Sequence, residues 1–426
     1  MKKEKIFEIL LDWNCWEREI DTGIERKGYI KRIYALLKTE QIVSLIGVRR
    51  SGKSTLMRQY AKQLIQKGLD ARNILYVNLE DPRFFGESIE LFQEIYETYL
   101  QYMEPDKKPY IFLDEVQNIL GWEKFVRAIN ERGNAHLIVS GSSSKLLSSE
   151  FGTVLTGRHL SLDVYPLSFR EFLNFNNIEI KSEADIIGKR LKIKSLLNEY
   201  MEWGGFPKVV LSEEKRNILM RYFEDIIARD VVERYKIRNV MKLKFLAKFY
   251  LTNISTRASF NSIRKFLGIS LDSVERFSQY LSDTYLLGFL SKYSYSLKEQ
   301  IVNPRKVYCI DTGLCNVAGF KFSENIGRLY ENLVFIELKR REMEIYYWSG
   351  KQEIDFVVKN AAPKLIQVSW NVEDEKTKSR EVNALIEGMN EFKLNEGLII
   401  TEDYMGEEET CGKTIKYIPL WRWLLG

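Results

Sequence analysis

Residues 47–54 read Gly47-Val48-Arg49-Arg50-Ser51-Gly52-Lys53-Ser54. Each fixed position in this spacing of glycine, glycine-lysine and serine has a physical use. A loop that wraps a triphosphate must aim successive backbone N–H groups at its oxygens. Gly47 and Gly52 reach backbone angles that a side chain would forbid. The helix expected after them points its positive end at the same place. Lys53 is expected to neutralise charge on the β and γ groups, and Ser54 to offer a hydroxyl to magnesium. The run from Gly47 to Thr55 is thus the expected contact for ATP with Mg²⁺.

Asp114 and Glu115 end the apolar run Tyr110-Ile111-Phe112-Leu113. In an open parallel sheet, ligands bind outside the carboxyl ends of the strands. Asp114 is expected to hold the magnesium ion through water. Glu115 is expected to act as general base on the attacking water. Ser140 and Ser142 end the next apolar run, and either could sense the terminal phosphate or position the water. Arg49, Arg50 and Arg158 could each reach a phosphate, within the chain or from a neighbouring subunit. Arg158 is the preferred candidate for such an arginine finger.

These residues need a scaffold, and the flanking pattern supplies one. Apolar runs at 41–46, 73–79, 110–115, 136–142 and 159–167 read as strands. Leu56, Tyr60 and Leu64 recur at helical spacing, and 90–100 is helical as well. Strands that alternate with helices predict a parallel sheet covered on both faces. Residues 168–235 read as helical, with a turn at Gly204, Gly205 and Pro207. Two short helices flank Gly268-Ile269-Ser270, followed by a β-rich run from Tyr285 to Tyr295. Beyond Asn303-Pro304 come a helix at 327–341 and strands at 345–348, 354–358 and 365–370.

The chain has 426 residues, enough for two or three domains with their own cores. Its 64 basic and 59 acidic residues leave a net charge of only +5, too weak a field to announce nucleic acid by itself. Cys15, Cys309, Cys315 and Cys411 form no CxxC pair, and His136 and His159 are the only histidines, so neither a zinc site nor a disulfide framework is expected. The first residues, MKKEKIFEILLDW, break their apolar positions with acids and do not read as a signal peptide. No apolar run approaches membrane-spanning length. A cytoplasmic protein with no membrane contact is the expectation.

Taken together, the motifs resemble the AAA-type P-loop ATPases of bacteria and archaea whose C-terminal half has no assigned function. The resemblance rests on GVRRSGKSTL (47–56), NLED (78–81), FLDEVQ (112–117), SGSSSKLL (140–147) and LTGR…YPLSFREF (155–172). It continues through WGGFP (203–207), ARDVVERY (228–235), DTGL (311–314), GRLYENLVFIEL (327–338) and EIDFVV (353–358). It implies an α/β fold with a P-loop core, then a helical segment, a winged helix and a small nuclease-like α/β domain. The corresponding boundaries are 1–30 for an N-terminal helical segment, 31–175, 176–240, 241–300 and 301–426.

The implied activity is ATP hydrolysis driving a switch or motor on an unidentified protein or nucleic-acid client. The alternative is an ATP-gated DNA binder working through the winged helix, and a homo-oligomer is plausible by analogy. The outward face of the helix at 271–283 carries Asp272, Glu275 and Gln279, an acidic face for a DNA reader. In the terminal domain, Glu331 and Asp355 stand where metal-binding nuclease acids would, and Glu353 is a possible third. Gln367 and Ser369 replace the expected acid and lysine on the next strand. The sequence offers no substitute for that lysine, so little or no cleavage is expected.

Overall fold

The computed structural model describes the chain except residue 20 and residues 85–88, 143–156 and 320–325. It divides into two compact units, Met1–Val164 and Tyr165–Gly426. Strands of the first unit are Ile42–Ile46 (β1), Ile74–Asn78 (β2), Tyr110–Asp114 (β3), His136–Gly141 (β4) and His159–Asp163 (β5). Its covering helices are Lys3–Trp13 (α1), Lys27–Leu37 (α2), Lys53–Gln66 (α3), Glu90–Met103 (α4) and Trp122–Glu131 (α5).

Side chains alternate along a strand, so a sheet covered twice needs apolar residues at both parities. Ile42, Leu75, Val77, Ile111, Leu113, Leu137 and Val139 enter one core, under α1, α4 and α5. Val43, Leu45, Ile74, Tyr76, Phe112, Ile138 and Leu162 enter the other, under α2 and α3. This is why the strands read as unbroken apolar runs. The N-terminal α1 shares the first of these cores through Ile6, Ile9 and Leu10.

The strand order is β2-β3-β4-β1-β5, and every neighbouring pair is parallel. Ile46 pairs with Gly141 and Asn78 with Asp114, so the carboxyl ends of β1 to β4 share one edge of the sheet. β4 stands between β1 and β3. At the outer edge, β2 is covered by side chains rather than by a strand. Asn14 accepts the Tyr76 N–H at 2.7 Å and donates to the Tyr76 carbonyl at 2.9 Å. The Trp16 indole donates to the Ile74 carbonyl at 2.9 Å.

The second unit opens with Phe169–Phe175 (α6), Arg190–Trp203 (α7) and Lys215–Asp225 (α8), which runs on through wider π turns at Ile226–Glu233. Then come Val240–Thr252 (α9), Thr256–Ala258 (β6), Phe260–Leu267 (α10), Leu271–Asp283 (α11), Leu287–Leu290 (β7) and Arg305–Cys309 (β8). Gly268 ends α10 in the left-handed conformation, and the Ser270 side chain caps α11. β6, β8 and β7 form an antiparallel sheet in that order. Thr312–Ala318 (α12) and Ile326–Arg340 (α13) follow.

The remaining elements are Ile345–Ser349 (β9), Glu353–Val358 (β10), Lys364–Val368 (β11), Glu375–Glu391 (α14), Glu396–Thr401 (β12), Gly406–Thr410 (β13) and Lys413–Pro419 (β14). They build a mixed sheet in the order β13-β14-β12-β11-β10-β9.

Two motifs far apart in sequence meet in this unit. Asp311 accepts the Gly205 N–H at 2.7 Å and the Leu314 N–H at 3.2 Å. A Cβ on Gly204 would lie 2.0 Å from the Asp311 carboxylate, and one on Gly313 would lie 2.2 Å from the Trp203 carbonyl oxygen. The glycines of WGGFP and DTGL are therefore steric requirements of one junction. Burial pushes the Asp311 carboxyl from the ordinary 3.8 up to about 6, and the backbone N–H groups only partly offset this. Below pH 3.8 the group is protonated whether the chain is folded or not. As pH rises towards about 6, only the unfolded chain ionises it freely, so its contribution to stability is lost through that window. Measured by urea unfolding, the unaltered chain should lose on the order of 3 kcal/mol relative to Asp311→Asn between about pH 4 and pH 6. A flat difference across that range would mean the carboxyl titrates as it does in water.

Candidate functional site

The loop from Gly47 to Gly52 joins β1 to α3, and a close approach shapes it. Val164 donates its N–H to the Ile46 carbonyl at 2.6 Å. A Cβ on Gly47 would sit 2.2 Å from the Val164 carbonyl oxygen, so the chain can turn here only without a side chain. Gly47 has φ +149° and Gly52 φ +102°, and Arg50 also takes a positive φ of 70°. Such angles cluster in loops that turn their N–H groups toward one point. Gly52 starts α3 with no side-chain cap, and its first turn holds no acid. Its first N–H groups therefore keep their capacity for an anion.

Lys53 is 4% exposed, and its ammonium donates to the carbonyls of Gly47 at 3.0 Å and Val48 at 3.1 Å. These two acceptors hold the ammonium over the loop. Val48 and Ser51 are buried, whereas Ser54 and Thr55 are half-buried in the first turn of α3. Arg26 braces the loop from outside, donating to the Ser51 carbonyl at 2.9 Å and lying 4.4 Å over the Tyr29 ring. The segment carrying it is tied to α3, because Gln59 donates to the carbonyls of Thr22 and Ile24, both at 2.8 Å.

Asp114 is held from both sides. Tyr76 donates its hydroxyl to one carboxylate oxygen at 2.5 Å, and Ser140 donates to the other. Ser140 also accepts the Glu115 N–H at 3.0 Å, so one hydroxyl of β4 fixes both acids. Glu115 takes a left-handed φ of 55°, which turns its side chain away from the strand direction. Its carboxylate accepts from the Gln117 amide. Burial pushes the Glu115 carboxyl above the ordinary range, and the Lys53 charge opposes this. Among the described residues, no group of three or more His, Cys, Asp or Glu is placed to hold a metal ion by itself. The loop, Lys53, Ser54 and Asp114 instead fit an ion that shares its ligands with a triphosphate.

The other candidates separate. Arg49 pairs with Glu80 of the NLED turn at 3.1 Å, and Arg50 is exposed. Ser142 is fully buried just past the end of β4. The rest of SGSSSKLL, and Leu155-Thr156 of LTGR, lie outside the described residues. Arg158 does not join the site within its own chain. Its carbonyl accepts the Ile42 N–H at 3.0 Å, at the start of β1, and its guanidinium pairs with Glu131 at 2.7 Å. A strand of this length sets it roughly 16 Å from Gly47, at the opposite edge of the sheet. Sequence reasoning missed Arg26, Tyr76 and Gln117. Gln117 was open to detection as the last residue of FLDEVQ, whereas Arg26 and Tyr76 belong to no motif.

In the second unit, Glu331 on α13 and Glu353 and Asp355 on β10 meet around one ammonium. A lysine reaches these acids from a strand outside β9 to β12. Lys306 comes from β8 and contacts Glu331 at 2.7 Å, Glu353 at 2.7 Å and Asp355 at 2.8 Å. Gln367 accepts the Asp355 N–H at 3.1 Å and donates to Glu381. Ser369 is buried, and its N–H donates to the Ile400 carbonyl at 2.9 Å.

Comparisons with known proteins agree with the first unit. Residues 39–173 match the family model of the AAA domain, and residues 194–324 match that of a domain of unknown function. The Walker-type ATPase PABY2304 of Pyrococcus abyssi is similar at 13% identity and a TM-score of 0.45, covering 70% of this chain and 96% of that one. The Aeropyrum pernix ORC1 protein, solved in complex with DNA, is similar at 14% identity and a TM-score of 0.30, covering 70% and 93%. The five-stranded parallel sheet and the glycine loop define a P-loop NTPase core, and residues 39–173 of it match the AAA domain model.

The chain belongs to the family of the uncharacterized protein MJ1544 of Methanocaldococcus jannaschii, with 34% identity over 100% of this chain and 96% of that protein. An uncharacterized protein of Haemophilus influenzae is 29% identical over 93% of this chain and 98% of its own length.

Replacing Ser140 by alanine removes the partner of a buried carboxylate oxygen and of the Glu115 N–H at once. We expect Ser140→Ala to lower stability by about 1–3 kcal/mol. The unfolding midpoint of the first unit in denaturant measures this. An unchanged midpoint would show that neither group depends on the hydroxyl.

Proposed function

We propose that this chain is a magnesium-dependent ATP hydrolase whose turnover drives a switch or motor on a client. The observation that carries this reading is the convergence of the glycine loop, Lys53, Asp114 and Glu115 at one sheet edge. The loop amides and the start of α3 would bind the phosphate oxygens, and Lys53 would turn from its two carbonyls to the β and γ groups. Ser54, and Asp114 through water, would hold Mg²⁺, which supplies charge neutralisation on the phosphate tail. Tyr76 and Ser140 keep the Asp114 carboxylate in one orientation. Glu115 would take a proton from the attacking water, and burial makes its carboxylate a stronger base than in solvent. Hydrolysis then gives ADP, phosphate and that proton. Ser142, just past β4 between the loop and the acids, would sense the departing phosphate.

An arginine finger, if one operates, would be Arg158 reaching a neighbouring subunit's site in a homo-oligomer, because its own loop is out of reach. The helix pair α10–α11 with the β6-β8-β7 sheet supports a winged-helix reading. The exposed face of α11 bears Asp272, Glu275 and Gln279, and Arg276 is paired to Asp272 at 3.2 Å. That charge pattern favours a protein client over a DNA backbone. The elements from α13 to β12 support a nuclease-like fold. With Gln367 in place of an acid, it would serve as a scaffold rather than a cleaving site.

Lys53→Ala should abolish steady-state ATP turnover, and survival of turnover in that variant would refute the site assignment. Glu115→Gln should lower kcat by at least ~10²-fold while ATP binding by calorimetry persists. The unaltered enzyme should lose activity as pH falls through the raised Glu115 value, because protonation removes the base. Turnover compared with and without duplex DNA separates the client classes. Stimulation would favour the DNA-gated alternative.

A further inference from the structure

We propose that the Lys306 ammonium is the resident cation of the Glu331–Glu353–Asp355 cluster, filling the position a divalent metal would otherwise take. This rests on the second unit alone and stands or falls independently of the ATPase reading.

An ammonium has three protons and no acceptor. Lys306 donates to Glu331 at 2.7 Å and to Asp355 at 2.8 Å, and its ammonium pairs with Glu353 at 2.7 Å. These are distances of charge-assisted hydrogen bonds, longer than the ~2.1 Å that a magnesium ion demands of its oxygens. The acids are therefore spaced for an ammonium.

The remaining contacts are occupied as well. Tyr308, two residues along β8 and so on the same face, donates its hydroxyl to Glu331 at 2.6 Å. The Val368 N–H donates to the second Asp355 oxygen at 3.0 Å. Arg257 of β6 pairs with the second Glu353 oxygen. A metal would have to break several of these bonds and expel a side chain that is 2% exposed.

The sequence origin of the groups gives the cluster a further role. Lys306, Tyr308 and Arg257 belong to the small antiparallel sheet, whereas the acids belong to α13 and β10 of the terminal fold. A metal site would have served chemistry inside the terminal fold. A lysine from outside converts the same acids into a pin between two sub-structures. A buried charge persists only when paired, so losing either side leaves the other uncompensated.

Manganese titration of the full-length, nucleotide-free protein, followed by electron paramagnetic resonance, tests this. The unaltered chain and its Asp355→Asn variant should bind Mn²⁺ alike. Lys306→Met, which keeps the side-chain volume, and Lys306→Ala should each gain an ion, bound at least ~10-fold more tightly than by the unaltered chain. Adding Asp355→Asn to either should abolish that gain. The proposal is overturned if the unaltered chain binds Mn²⁺ in a way that Asp355→Asn removes. It is equally overturned if neither lysine variant gains an ion, including the case in which both fail to fold with Mn²⁺ present.

Discussion

The Val164 carbonyl lies where the first side-chain atom of residue 47 would be. The glycine loop depends on this contact, because it forces glycine at the end of β1 and fixes the direction in which the chain leaves the sheet. Register does the rest. Ile46, Asn78, Asp114 and Gly141 end their strands along one line, so acids on β3 and a hydroxyl on β4 face a loop two strands away. The inserted β4 is what allows Ser140 to hold Asp114 and the Glu115 backbone together.

Two buried lysines show how partner chemistry decides what a charge can do. Lys53 donates to two backbone carbonyls of the loop it follows, and its charge acts on the nearby Glu115 carboxyl. Lys306 rests on carboxylates, which cancel its charge and bind it in place. The first arrangement is primed for an anionic ligand. The second is closed to one. Similar burial, 4% and 2% exposed, therefore marks opposite roles.

Much of this was legible in the sequence because it was local. Strand and helix positions follow from apolar spacing, and the loop from glycine positions next to a lysine. Asp114 and Glu115 were visible as polar residues at the end of an apolar run. What stayed hidden depends on pairs distant in the chain. Arg26 reaches Ser51, Tyr76 reaches Asp114, Gly205 meets Asp311, and Lys306 meets Asp355, none within one element. No periodicity encodes such a meeting. The lysine at the terminal acids comes from β8, a strand of a different sheet, and no pattern around those acids marks it. Arg158 lies at the start of β1 and β5, the far end from the loop, because proximity to a motif in sequence does not fix which end of a parallel strand a residue occupies.

The side chains of Asn14 and Trp16 also set a limit on how this molecule can be cut or joined. They cap the backbone of β2 from a segment upstream of the AAA-matching region at 39–173. A fragment trimmed to that region would leave the outermost strand with bare amides and carbonyls, a template for cross-strand aggregation. In the intact chain the same capping forbids sheet extension on that flank.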